Sequence, residues 1–169
     1  VSSLSESTLA FQASPSLATL SAIRQSWNET YMSWQSVSLF EIGKADEIRF
    51  RNNLNIYPTN VAEINENIVQ GGYNLELPSQ IDRQGFPALD YLLYGLGNTE
   101  EEILTFYTTE ENATARLQYL VALVSRIESL SASVLEDWAN GYRDEYISRD
   151  GSDANASFDQ TVNAILFYY

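Results

Sequence analysis

Residues 20–34, LSAIRQSWNETYMSW, place an apolar or aromatic side chain at every third or fourth position. An α-helix turns once in 3.6 residues, so side chains at these steps share one face. The positions on that face are Leu20, Ile23, Trp27, Tyr31 and Trp34. The spacing predicts an amphipathic helix that continues to about residue 40. Its aromatic stripe is typical of a face buried in a core, although the same rings would also suit the wall of a ligand pocket.

Helical signals continue on both sides of this segment. Three pairs, Asn60 with Glu63, Thr99 with Glu102 and Thr108 with Glu111, have the spacing of an N-terminal capping box. We therefore predict helices at 1–13, 60–70, 86–96, from 99, from 108 to about 140, and from 158. We interpret residues 41–57 as an irregular connection. No segment shows the alternation and hairpin turns that predict strands.

The helix from 108 to about 140 is the longest that the sequence predicts. Its expected inner face consists of Leu117, Leu120, Val121, Val124, Ile127, Val134, Leu135 and Trp138. Long helices with short connections indicate an all-α fold, an up-and-down helical bundle. A length of 169 residues suits a single domain over residues 1–169.

The charge balance excludes several classes of partner. The chain has 23 Asp and Glu against 9 Lys and Arg, and its net charge is −14. Such a surface repels phosphate backbones and anionic lipid headgroups, so we expect no nucleic-acid partner. A basic protein, a cation or a neutral ligand fits better. No apolar run approaches the roughly 20 residues that span a bilayer, so we also expect no transmembrane segment.

The chain contains neither cysteine nor histidine. Disulfides, thiolate metal sites, Ser-His-Asp triads and zincin-type sites are therefore excluded. Any catalysis would depend on carboxylates, Tyr or Arg.

Residues 85–95, GFPALDYLLYG, are the most informative for function. They resemble the signature of the imelysin family (peptidase M75), Gly-x-His-x-x-Glu, which is followed by a Tyr-Leu-Leu run and a glycine. Three other segments resemble the family in the same order: 22–40 with its two tryptophans, Asn55-Ile56-Tyr57-Pro58, and 116–138. The resemblance covers nearly all of this chain and about half of a typical member, whose second bundle would complete a cleft.

The resemblance implies an imelysin-type bundle in a bacterial cell envelope, in the periplasm or as an outer-membrane lipoprotein. It places a ligand site at Gly85, Pro87, Asp90 and Tyr91. Pro87 stands where the family has its histidine, and Asp90 where it has its glutamate, so we expect no peptidase activity. Proline cannot ligate a metal, whereas a carboxylate can.

The expected function is non-catalytic binding of a metal ion or small ligand, with Asp90 as the metal ligand. Iron is one candidate, because some family members are linked to iron uptake, and calcium is another, because it prefers oxygen ligands. Glu41, Asp46 and Glu47 could supply further oxygens. Pro87 and Asp90 are also explained by structure alone, as a first-turn proline and an acid near the positive end of a helix.

Two alternatives stay open. An interaction module would use the acidic surface and the C-terminal aromatic turn Phe167-Tyr168-Tyr169 to bind a partner chain or a second copy. A metallopeptidase that uses carboxylates alone is less favoured, because zinc prefers His or Cys ligands.

Overall fold

Helices make up the regular structure of the chain in the computed structural model, which describes residues 1–151 and 156–168. In chain order they are α1 (Ser2–Ala13), α2 (Leu17–Gln35), α3 (Lys44–Glu47), α4 (Phe50–Leu54), α5 (Val61–Gln70), α6 (Gly85–Tyr94), α7 (Glu100–Thr108), α8 (Ala113–Asp137), α9 (Arg143–Ser148) and α10 (Ser157–Tyr168). A 3-10 helix, Pro78–Arg83, precedes α6, and a π-helical turn, Trp138–Tyr142, follows α8. Neither described range contains a strand, so the predicted all-α bundle is confirmed.

Helix α8 holds the bundle together, because α1 and each of α3 to α7 contact it. Its buried face follows steps of three and four and consists of Arg116, Tyr119, Leu120, Leu123, Val124, Ile127 and Leu130. The predicted inner face was wrong at Leu135, which is 71% exposed. Leu135 instead lines an open apolar cavity together with Val134 and Trp138, and Val134 still packs against the core.

Short polar side chains fix the starts of three helices. Ser16 caps α2 in a capping box with Thr19, the Asn60 side chain accepts the Glu63 N–H, and Thr99 accepts the Glu102 N–H. Each such cap satisfies an N–H group that has no partner within the helix, worth about 1 kcal/mol.

The capping box predicted at Thr108 was wrong. Thr108 is the last residue of α7, and α8 begins after Asn112, whose φ is 65°. The Arg116 guanidinium donates a hydrogen bond to the Phe106 carbonyl, 2.5 Å away, which ties the first turn of α8 to the end of α7.

The connection predicted over residues 41–57 is more regular than expected. Helix α2 ends at Gln35, earlier than residue 40, and α3 and α4 form within the connection. Phe50 and Leu54 of α4 are buried, which explains why this polar stretch packs onto the bundle.

The C-terminal aromatic turn is described only in part. Phe167 is 80% exposed, whereas Tyr169 and the side chain of Tyr168 lie outside the described residues. Among the helices that the structure describes, none has the length and apolar character needed to cross a membrane.

Candidate functional site

The start of α6 is set by a close backbone contact at Gly85. Its φ is +78°, and an added β-carbon would lie 2.3 Å from the carbonyl oxygen of Leu54. Only glycine allows α6 to start this close to the end of α4. Gly85 is buried and does not line the cavity described below, so its part in the predicted site is to place the residues that follow it.

A cavity of about 510 Å³ lies beside α6 and brings together three of the four predicted site residues. Pro87, Asp90 and Tyr91 line it from α6, and Trp27 and Tyr31 line it from α2. The remaining lining residues are Asn55, Tyr57, Thr59, Phe86 and Gly95. Its size falls within the range of small-molecule sites, about 300–1,000 Å³.

Asp90 supplies the charge at this cavity. Its side chain reaches solvent, yet the cavity wall removes part of its hydration and raises the pKa of the carboxyl above its ordinary value. Desolvation is the whole cause of this shift. In the described part of the chain, the Asp90 carboxylate has no hydrogen bond or ion pair. It is therefore a charged group without a compensating partner.

Aromatic residues make up half of those that line the cavity. Trp27 and Tyr31 stack with centroids 5.5 Å apart and planes 12° apart, and Tyr31 lies 5.1 Å from Phe86. Trp34 continues this stack into the core, where it is buried. The core interpretation of the aromatic stripe is therefore supported at Trp34, and Trp27 and Tyr31 both pack against the core and line the cavity, while a role in ligand binding stays a prediction.

Tyrosines next to the motif occupy different surroundings. The Tyr91 hydroxyl exchanges hydrogen bonds with the Asn65 side-chain amide, at 3.0 and 3.3 Å, which orients its ring in the wall. Tyr94 is not among the residues that line the cavity, and the Arg24 guanidinium lies 4.5 Å from its ring centroid.

The cavity does not suit a divalent metal. Asp90 is the one carboxylate among its lining residues, and no group of three His, Cys, Asp or Glu suited to a metal occurs within the described residues. Calcium takes six to eight oxygen ligands, and the side-chain oxygens of this wall other than those of Asp90 belong to neutral Asn, Thr and Tyr residues.

The other acidic candidates lie elsewhere. Glu41 and Asp46 line a different cavity, of about 600 Å³, beside Tyr142, and Glu47 pairs with Lys44 at 2.7 Å. The Glu41 carboxylate accepts the Arg51 backbone N–H at 3.0 and 3.2 Å. Burial raises the pKa of Glu41 to about 7. The structure does not bring these residues to Asp90.

A third cavity, of about 470 Å³, is lined by Trp34 and Phe86 and by apolar side chains of α4 and α8. No charged side chain lines it. It therefore lacks the charge chemistry that Asp90 gives the cavity beside α6.

The family model of imelysin (peptidase M75) matches residues 1–167. The chain belongs to the imelysin family. No curated protein and no solved structure matches it. Within this imelysin domain, Pro87 and Asp90, which the resemblance places at the histidine and glutamate positions of the signature, line the same cavity.

Three cavity residues escaped the sequence-based prediction of the imelysin site: Asn55, Tyr57 and Thr59. They follow α4, and their position depends on how α4 packs against α6 and α8. Tyr57 is 86% exposed. The available signal was the segment Asn55-Ile56-Tyr57-Pro58, which resembles the family and contains two of these residues.

Proposed function

We propose that this imelysin domain is a non-catalytic binding domain and that its ligand occupies the cavity beside α6. The observation that carries the proposal is the unpaired Asp90 carboxylate in a cavity walled by aromatic rings. Apolar pockets with a few placed polar groups are the usual form of a small-molecule site. An unpaired, partly desolvated charge is costly to the fold, which is typical of a residue retained for binding.

A binding role agrees better with these residues than peptidase chemistry. Zinc peptidases use three protein ligands, chiefly His, and an activated water, and the chain has no histidine or cysteine. Pro87 removes the side chain that would pair with Asp90 one helical turn away. The cavity retains the shape of a site without the groups that would activate a nucleophile.

Family membership supports an envelope location for this binding domain, in the periplasm or as an outer-membrane lipoprotein. Iron uptake, a role linked to some members, would need ligands beyond Asp90. A second bundle or a second copy of the chain would have to supply them. The geometry of the described residues therefore favours a small organic ligand over a metal ion.

Calorimetry with a panel of probes tests the proposal. Calcium, iron(II), zinc, a neutral hexose and choline would each be titrated into the chelator-treated protein and its Asp90→Asn variant. The exposed Glu136 provides a matched control, because Glu136→Gln removes the same charge away from the cavity. At least one probe should bind saturably and lose at least tenfold in affinity, about 1.4 kcal/mol, with Asp90→Asn alone. Absence of binding by every probe would contradict the proposal.

A role in protein–protein interaction is a second candidate, favoured by the apolar surface of α10. Phe158 and Leu166 are 72% and 73% exposed, a high value for large apolar side chains. We propose that the occupant of this surface is a second bundle, from another copy of the chain. Light scattering should show a mass that rises with concentration and returns to the monomer value when both residues are replaced by serine. A monomeric mass of the wild type at every concentration would exclude self-association.

A further inference from the structure

We infer that the cavity beside α6 takes an organic ammonium ion, a quaternary or protonated alkylamine, with the aromatic rings around its carbon shell and Asp90 as its counter-ion. This inference rests on the proposed binding function and names the chemistry of the ligand.

The charge of the cavity selects a cation. Asp90 is its charged lining residue, and no Lys or Arg from the described ranges 1–151 and 156–168 lines it. The nearby Arg24 is already engaged, because it pairs with Glu100 at 2.5 Å and donates to the Leu93 carbonyl. A bound cation would provide the positively charged partner that the Asp90 carboxylate lacks. The net charge of −14 also attracts cations at long range.

The walls of the cavity select an organic cation over a metal ion. Five of the lining residues are aromatic: Trp27, Tyr31, Tyr57, Phe86 and Tyr91. A ring face attracts a cation through its quadrupole but offers no lone pair for a metal. An alkylammonium ion carries its charge on a shell of methyl or methylene groups, so it gains both ring contact and burial of apolar surface. Trp27 is the largest ring of this wall, and one of its faces is already stacked on Tyr31. Tyr31 is itself stacked between Trp27 and Trp34, so the exposed Tyr57 ring is the one of these with no ring packed on it among the described residues.

The aromatic side chains that line the cavity also differ in how tightly they are packed. Trp27 and Tyr31 are fixed by their mutual stacking, by the contact of Tyr31 with Phe86, and by packing against the core. Tyr57 is almost fully exposed, and within the described residues its ring packs against no other ring. A ligand packed against the fixed rings could therefore also contact the exposed Tyr57 ring, which lines the same cavity.

A pair of ligands that differ only in charge tests the inference. Choline and its neutral carbon isostere, 3,3-dimethylbutan-1-ol, have nearly the same shape. Both would be titrated into ¹⁵N-labelled protein while the indole N–H resonances of the three tryptophans are followed. Choline should shift the Trp27 resonance saturably and leave that of Trp138 unchanged, and the isostere should bind at least tenfold more weakly.

Three variants locate the binding site. Asp90→Asn should weaken choline binding at least tenfold. Tyr57→Leu should weaken it roughly two- to fivefold, the size of one exposed cation–π contact of about 0.5–1 kcal/mol. Glu136→Gln should change it less than twofold. Tyr57 and Asp90 are both solvent-exposed, so neither substitution opens a hole in the core.

The outcomes separate this inference from the proposed function. Two outcomes would overturn the ammonium inference and leave the binding function in place. One is equal binding of choline and its neutral isostere. The other is no binding of choline when a metal or hexose binds in an Asp90-dependent way. Absence of binding by choline and by every other probe would overturn both. Choline binding that survives Asp90→Asn unchanged would place the cation elsewhere and overturn the inference.

Discussion

The α-carbon of Gly85 approaches the backbone of Leu54 so closely that a β-carbon there would lie 2.3 Å from the Leu54 carbonyl oxygen. This contact joins the end of α4 to the start of α6 and so sets the position of the cavity wall. The chain loops back on itself at this point through residues 55–84, which carry Tyr57 and α5.

Gly85→Ala should therefore destabilise the protein strongly. The substitution adds both a positive-φ residue, which costs about 1 kcal/mol, and a clash with backbone atoms that cannot move aside. We expect a loss of roughly 3 kcal/mol or more in the free energy of unfolding, measured by urea denaturation. Gly72→Ala is the matched control, because Gly72 has φ +67° and open space around its missing β-carbon. A loss no larger for Gly85 than for Gly72 would show that the contact with Leu54 relaxes.

A buried hydrogen-bond network around Tyr119 connects α8 to α5 and the 3-10 helix. The Tyr119 hydroxyl donates to the Arg83 carbonyl at 2.7 Å and accepts from the Asn67 amide at 3.2 Å. Tyr119→Phe removes a hydrogen-bond partner from the buried Asn67 amide and from the partly buried Arg83 carbonyl, so we expect a loss of about 1–2 kcal/mol in the free energy of unfolding.

Tyr73→Phe is the control for that measurement. The Tyr73 ring packs edge-on against Tyr119 with centroids 4.7 Å apart, and its hydroxyl makes no hydrogen bond to a described residue. Its removal should cost less than about 0.5 kcal/mol. Equal effects of the two substitutions would mean that ring packing, and not the hydrogen bonds, makes this contact stable.

The helices were predictable from local pattern, and the full cavity was not. Periodicity identified α2 because Leu20, Ile23 and Trp34 each meet the core at a step of three or four. The family motif pointed to Pro87, Asp90 and Tyr91, which the fold gathers on one cavity, while their binding role stays a prediction. Motif spacing carries this information because neighbouring residues of one helix stay together in any fold.

Tyr57 and Leu135 show where local pattern fails. Tyr57 reaches the cavity through the packing of α4 against α6 and α8, a long-range relationship that no local spacing encodes. Leu135 fits the apolar period of α8 but lines an open cavity and stays 71% exposed. Periodicity predicts which side chains share a face, and it does not predict how far the covering elements extend.

Asp90→Asn should increase stability at neutral pH, in contrast to its expected effect on binding. Desolvation without a partner raises the pKa of the folded carboxyl, so ionisation favours the unfolded chain. The free energy of unfolding of the wild type therefore falls as the pH rises above the ordinary pKa range of a carboxyl group. Because the side chain still reaches water, we expect a gain of roughly 0.5 kcal/mol or less at pH 7, measured by urea denaturation.

The gain from Asp90→Asn should disappear near pH 3, where both states of the wild type are protonated. Glu136→Gln, at a solvated position, should leave stability nearly unchanged at both values of pH. A loss of stability for Asp90→Asn at pH 7 would indicate that Asp90 is held by favourable contacts, and it would remove the main support for a binding role.

Glu41 should make the free energy of unfolding depend on pH more strongly than Asp90 does. Burial, with a smaller contribution from the Asp46 charge, raises the pKa of Glu41 from its ordinary value of 4.5 to about 7, while the Arg51 backbone N–H and its side-chain charge oppose the rise. The unfolded chain therefore loses this proton at lower pH than the folded protein. Consequently the free energy of unfolding falls as pH rises from about 4.5 to about 7, by on the order of 3 kcal/mol at about 1.4 kcal/mol per pKa unit.

Glu41→Gln should abolish this fall, because glutamine stays neutral and its side-chain oxygen can still accept the Arg51 N–H. We expect the variant and the wild type to have similar free energies of unfolding at pH 4.5 and the variant to be more stable at pH 8, as measured by urea denaturation across that range. Glu111→Gln, at an exposed position, controls for the loss of one negative charge. Parallel pH profiles for wild type and Glu41→Gln would mean that Glu41 is already ionised in the folded protein at pH 5. In that case the Arg51 contacts would outweigh the cost of burial.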